Sequence, residues 1–194
     1  MSRLSPFGIH GNEKVSIFID GAGLYVTASS LLFEVDYSKL LAQFEGMCQF
    51  KSAKYYTAVI QDSEYDAVRP LIDYTSYNGY CVTRKAPKEW TDAAGKRRSK
   101  GSIVGELTVG MLEAARHCDH IVLFSGDGDF VAAVEAVQRM GVRVTVVSTI
   151  ATNPAVVSDD LRRAADRFVD LANVRAAIER APRAGRPVIT RAVA

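Results

Sequence analysis

Two segments of this 194-residue chain carry an apolar run into aspartate: Phe18-Ile19-Asp20-Gly21-Ala22-Gly23-Leu24-Tyr25 and Phe124-Ser125-Gly126-Asp127-Gly128-Asp129-Phe130. Each reads as a buried strand turning into a helix. In open parallel sheets the ligand crevice lies outside the carboxyl ends of the strands, where the winding reverses. If these two strands are neighbours, Asp20, Asp127 and Asp129 converge there. Clustered carboxylates raise one another's pKa unless a cation is present, so the trio suits Mg²⁺ or Mn²⁺. Such an ion activates water and stabilises charge on a phosphodiester.

The same aspartates also suit helix caps, since Asp is favoured where a strand turns into a helix. For Asp20 or Asp127 alone the two readings are equally good; three aspartates at two strand ends favour a shared site. The glycines do not make a nucleotide loop. Gly21-Ala22-Gly23 lacks the third glycine of GxGxxG and no GxxxxGK[ST] is present, so no nucleotide cofactor is expected. An aspartyl-nucleophile phosphohydrolase would want a second aspartate where Ala22 stands.

The formal charge of +2 hides an uneven distribution. From Arg84 to Lys100 seven cations stand against Glu89 and Asp92, seven minus two or +5. In one reading Lys96, Arg97, Arg98 and Lys100 hold a nucleic-acid backbone while Trp90 stacks a base; in the other this is a solvated loop. The string His117-Cys118-Asp119-His120 has no second ligand cluster and reads as a helix end. The three cysteines, Cys48, Cys81 and Cys118, form no CxxC pair and are expected as reduced thiols.

The elements that must position these residues alternate along the chain. Strands are predicted at Val15–Ile19, Lys54–Ile60, Tyr80–Arg84, Ile121–Phe124 and Val142–Ser148. Helices are predicted at Ala22–Leu32, Val35–Phe44, Glu64–Tyr77, Ile103–Cys118, Phe130–Met140 and Val156–Ala165, with Asp36 as an N-cap. That order argues for a parallel sheet with helices on both faces. Hydrophobic residues at 48% and charged residues at 24% exclude disordered and disulfide-scaffold classes. No apolar run approaches the ~18 residues of a spanning helix, and MSRLSPFGIHGNEK lacks a signal's apolar stretch, so a cytoplasmic protein without membrane partners is expected. Residues 1–14 are set apart as an N-terminal extension, 15–181 as one domain, and 182–194 as a flexible basic tail.

At these residues the chain resembles a known family. FIDGAGLY, KGSIVGELTVGML, LFSGDGDF, GVRVTVVS and LRRAADRFVDL together look like the NYN domain of the LabA/DUF88 group, in the PIN-like nuclease superfamily, over Val15 to Leu171. The resemblance implies a three-layer α/β/α sandwich, a mainly parallel sheet of about five strands in order 3-2-1-4-5, and a metal-dependent ribonuclease centre. Asp20, Asp127 and Asp129 match the family's acidic positions. The asparagine of the usual DGxNLY is Gly23, and the two aspartates of the usual central block are Val104 and Gly110. Glu106 is a poor replacement, because two residues along a helix turn it roughly 200° from Val104. The resemblance with these gaps implies impaired or absent catalysis, weak or no Mg²⁺ or Mn²⁺ binding, and action by binding RNA, a protein partner or a second copy. The alternative it leaves is an active Mg²⁺- or Mn²⁺-dependent ribonuclease using the remaining aspartates.

Overall fold

A parallel strand covered on both faces must be apolar on both, and the first strand, β1 (Lys14–Asp20), is buried from its second residue to its last. A computed structural model of the protein describes residues 5–58, 63–86, 88–91, 97–100 and 102–181, with the side chains of 63–68, 88–91 and 97–100 outside the description. After β1 come α1 (Gly21–Ser30), α2 (Tyr37–Glu45), β2 (Gln49–Ala58), α3 (Ser63–Tyr77), β3 (Tyr80–Lys85), β4 (Lys88–Thr91) and β5 (Arg97–Lys100). The second half runs through α4 (Val104–Ala114), β6 (His120–Phe124), α5 (Val131–Arg139), β7 (Arg143–Ser148), α6 (Asp159–Ala164), β8 (Arg167–Asp170) and α7 (Leu171–Ile178).

Six strands form one parallel sheet in the order β3-β2-β1-β6-β7-β8. This is the expected order with one strand added at the edge. Ile17 and Ile19 face Leu24, Leu40, Phe44 and Ile178, while Phe18 between them faces Leu107, Met111 and Leu161. Both faces are thus sealed over β1, and helices flank the sheet on both sides. No helix among the described residues is long and apolar enough to cross a membrane.

Four local outcomes differ from the sequence reading. The basic segment is a two-stranded antiparallel hairpin, with Lys88 opposite Lys100 and Trp90 opposite Arg98. β8 has only one fully buried residue, Val169, which left too little apolar signal to predict a strand. The sixth helix starts at Asp159 rather than Val156, because Ser158 is its cap, accepting from the Leu161 N–H. β2 starts at Gln49, where Lys14 already pairs with it.

The N-terminal segment joins the core. Phe7 is fully buried against Phe44 and Phe124, with ring centroids 4.7 and 6.1 Å away, and Ile9 is buried beside it. Residues 1–4 and the tail 182–194 lie outside the described residues. The His117–His120 string divides as expected of a helix end: His117 is exposed, and His120 opens β6 inside the protein. Burial and the neighbouring Arg143 guanidinium lower the His120 pKa. Its Nδ1 lies 3.1 Å from that guanidinium and its Nε2 2.8 Å from Thr145 Oγ1. Glu13 Oε2 lies 3.3 Å from the same Nδ1, so the ring sits between an arginine and a carboxylate at one nitrogen and a hydroxyl at the other.

Candidate functional site: a polar row at the carboxyl edge

Register partners in a parallel sheet share a face, so one row of residues can be followed across the strands. Thr83 pairs with Tyr56, Tyr56 with Asp20, and Ser148 with Asp170. The Ile19–Phe124 and Phe124–Val147 pairs place Ser125 between Asp20 and Ser148. Two residues back, the corresponding central positions are Phe18, Leu123 and Val146, all fully buried. The sheet therefore changes from hydrocarbon to hydroxyl and carboxylate in a single row.

Asp20 is the hub of that row. It caps α1: Oδ1 accepts from the Gly23 N–H at 3.1 Å, and Oδ2 accepts from Ser125 Oγ at 2.9 Å. The residue is only 7% exposed. Burial raises its pKa, the nearby Asp127 adds to the rise, and the hydrogen bonds from Gly23 and Ser125 oppose it. Asp127 caps the short 3-10 turn Gly128–Phe130, accepting from the Asp129 N–H at 3.0 Å, and its own N–H donates to Ser125 Oγ at 3.2 Å. Ser125 thus joins the two aspartates through one hydroxyl. Asp127 and Asp129 are exposed. Asp129 is tied to the pair through its backbone N–H, and among the described residues no three Asp, Glu, His or Cys side chains group closely enough to hold a metal ion.

The absent polar positions have been filled in. A Cβ at Gly23 would run into Asp20 Oδ2, so glycine is what lets that carboxylate fold back onto the start of α1. A Cβ at Gly110 would run into the Tyr56 hydroxyl, with Phe18 Cε1 at 3.2 Å. The Tyr56 ring is itself stacked on Phe18 at 6.1 Å and 13°, and is buried. Val104 is half-buried against the apolar cluster under α4. Glu106 turns to β3, where its Oε1 receives Lys85 Nζ at 2.7 Å; that ammonium holds its pKa below the usual glutamate value.

The divalent ion implied by the resemblance does not fit this donor set. A hard cation needs several converging oxygens, yet each Asp20 oxygen already accepts a hydrogen bond, Val104 and Gly110 offer no carboxylate, and no three acidic, histidine or cysteine side chains group together among the described residues. Ser125, Tyr56 and Ser148 were not assigned as site residues from sequence. Ser125 stood inside a quoted motif, but its role becomes visible only with the register. Ser148 Oγ is buried without a hydrogen-bond partner.

The hairpin supplies the backbone positions of Trp90, Arg97, Arg98 and Lys100, whose side chains lie outside the description, and Lys96 lies outside the described residues.

Burial of Asp20 has a consequence for stability. An acid whose pKa is raised by folding contributes most below its unfolded pKa, and that contribution is lost as pH rises through the folded value. Asp20→Asn removes the buried charge while keeping an oxygen for the Gly23 N–H. The expected result is a higher denaturation midpoint than the parent at neutral pH, with the gap closing in acid; thermal melts across pH check it.

A parallel sheet flanked by helices, with aspartates at or just beyond the carboxyl ends of β1 and β6, is the PIN-like architecture that the resemblance implied. The NYN-domain family model matches residues 14–172, and the chain belongs to that family. It is 30% identical over 175 residues to the low amplitude and bright protein LabA of Synechococcus elongatus, spanning 88% of this chain and 90% of that one. Among solved structures it is similar to a protein of unknown function from Vibrio parahaemolyticus, with a TM-score of 0.66, 28% identity, and coverage of 82% of this chain and 93% of that one.

Proposed function

We propose that this protein is a non-catalytic NYN-domain protein that binds single-stranded RNA, holding it by the basic hairpin. The observation that carries the first half is Asp20, whose carboxylate is withdrawn against Gly23 and Ser125 instead of standing free in a crevice. Val104, together with Tyr56 packed over Gly110, argues in the same direction, because valine has no oxygen and burial keeps the Tyr56 phenol neutral, so neither replaces a carboxylate.

The RNA half is supported by charge. The stretch from Arg84 to Lys100 carries seven cations against two anions, and the hairpin brings much of that charge onto two short paired strands. A polyanion neutralises such a strip and releases its own counterions on binding. Membership of a nuclease-related family makes RNA the first polyanion to test.

The deciding experiment incubates the purified chain with mixed single-stranded RNA and Mn²⁺, beside the Asp20→Asn, Asp127→Asn double variant. Both proteins are expected to retard the RNA and to leave it intact. Cleavage by the parent and not by the double variant would establish the active ribonuclease instead. Failure of either protein to retard RNA would remove RNA as the ligand.

A further inference from the structure

The two faces of the sheet are covered unevenly. α4 packs on β1 and beside α5. At the β2–β3 edge this leaves an open groove floored by Lys54 and Tyr56 of β2 and Cys81 and Thr83 of β3, with α4 as its wall. Two hollows of about 540 and 530 Å³ share Lys54 and Glu113, so the groove continues from the polar row down to Lys51. A strand covered on both sides would be apolar at these positions. Here β2 carries Ser52 and Lys54 instead, both only half-buried.

The charge in the groove is uneven as well. Lys51, Lys54 and Arg116 lie in its lower half, and among the described residues neither Lys51 nor Arg116 is paired with a carboxylate. Lys54 Nζ sits 5.4 Å above the Phe18 ring. Against them stand Glu113 on the wall and Glu106, which Lys85 already neutralises. Counting Lys51, Lys54, Lys85 and Arg116 against Glu106 and Glu113 gives four minus two, or +2. The hairpin β4–β5 connects β3, the floor, to α4, the wall, so the groove begins where the chain's basic segment ends.

From this juxtaposition we infer that the groove is a second part of the RNA path, taking the phosphate backbone of a single strand along β2 past Lys54 to Lys51 and Arg116. The inference rests on the RNA-binding function proposed above and adds the route. Ammonium and guanidinium groups contact phosphates without regard to base, so the groove confers affinity and salt dependence rather than sequence preference. Glu113, in the middle of the track, works against the strand.

Cys81 gives a direct reporter. It is exposed on the groove floor, whereas burial pushes the thiols of Cys48 and Cys118 up to about 11 and makes them slow to react. The full chain is titrated with fluorescent oligouridylate, and the alkylation rate of Cys81 is followed with and without RNA. Bound RNA is expected to slow alkylation severalfold. Lys51→Ala with Arg116→Ala is expected to weaken binding by about tenfold at low salt and to flatten the salt slope by roughly one to two. Glu113→Gln is expected to tighten binding. If RNA still binds while Cys81 reacts at its free rate and the double variant binds like the parent, the groove is not the path, and hairpin binding stands alone. If the parent binds no oligouridylate at all, both the path and the RNA-binding function are overturned.

Discussion

Replacing Lys96, Arg97 and Arg98 together by alanine is expected to weaken binding to single-stranded RNA on the order of a hundredfold at low salt, and to reduce the slope of log affinity against log salt by about two. The effect is large because three cations leave a segment whose whole excess is +5. The backbone register adds that two cationic positions, 88 and 100, are paired across the two strands. Fluorescence anisotropy across a salt series reads both quantities. An unchanged affinity and slope would leave the hairpin a solvated surface element with no part in RNA binding.

The second large effect concerns the filled-in site. Gly110→Asp, which writes back the family's usual residue, is expected to destabilise the fold by roughly 1–3 kcal/mol, the range for forcing extra atoms into a packed interior. The first atom added would meet the Tyr56 hydroxyl, and moving that ring would disturb its stacking on Phe18. Tyr56→Phe in the same chain should restore part of the loss, so urea denaturation of the two single variants and the pair should show coupling rather than additivity. Additive costs would mean that the hydroxyl and residue 110 do not compete for space.

Much of the fold was legible from the sequence because its signals were strong and local. Val15–Ile19, Ile121–Phe124 and Val142–Ser148 are short segments rich in β-branched residues and ended by a turn or a polar residue, and they became three adjacent strands, β1, β6 and β7. Asp36 announced a helix start that the structure bears out through the Ser38 and Lys39 N–H groups. Weak signals were lost: β8 is four residues long, and β4 and β5 are rich in charge rather than in β-branched residues. Phe7 could not be placed in the core from sequence, because its partners Phe44 and Phe124 are distant along the chain.

The site was half legible. Asp20 and Asp127 were named from strand ends, and the structure joins them through Ser125. The gaps at Gly23, Val104 and Gly110 were visible as residue types, but their consequence was not. That Gly23 lets Asp20 fold back, and that Tyr56 takes the space beside Gly110, depends on side chains brought together across the sheet. Spacing along the chain carries no trace of either contact. Glu106 lines the same groove as Tyr56 and Gly110 and is paired there with Lys85, a contact that helical spacing alone does not reveal.

Manganese binding tests the withdrawn carboxylate most directly. Electron paramagnetic resonance titration compares the parent, its Asp20→Asn variant, and the triple variant Val104→Asp, Gly110→Asp, Tyr56→Phe. The parent should bind Mn²⁺ weakly and with no dependence on Asp20, while the triple variant should gain at least the roughly tenfold that a single supporting group contributes at metal sites. Tight binding by the parent that disappears in Asp20→Asn would contradict the structure-based view that this carboxylate is committed to Gly23 and Ser125.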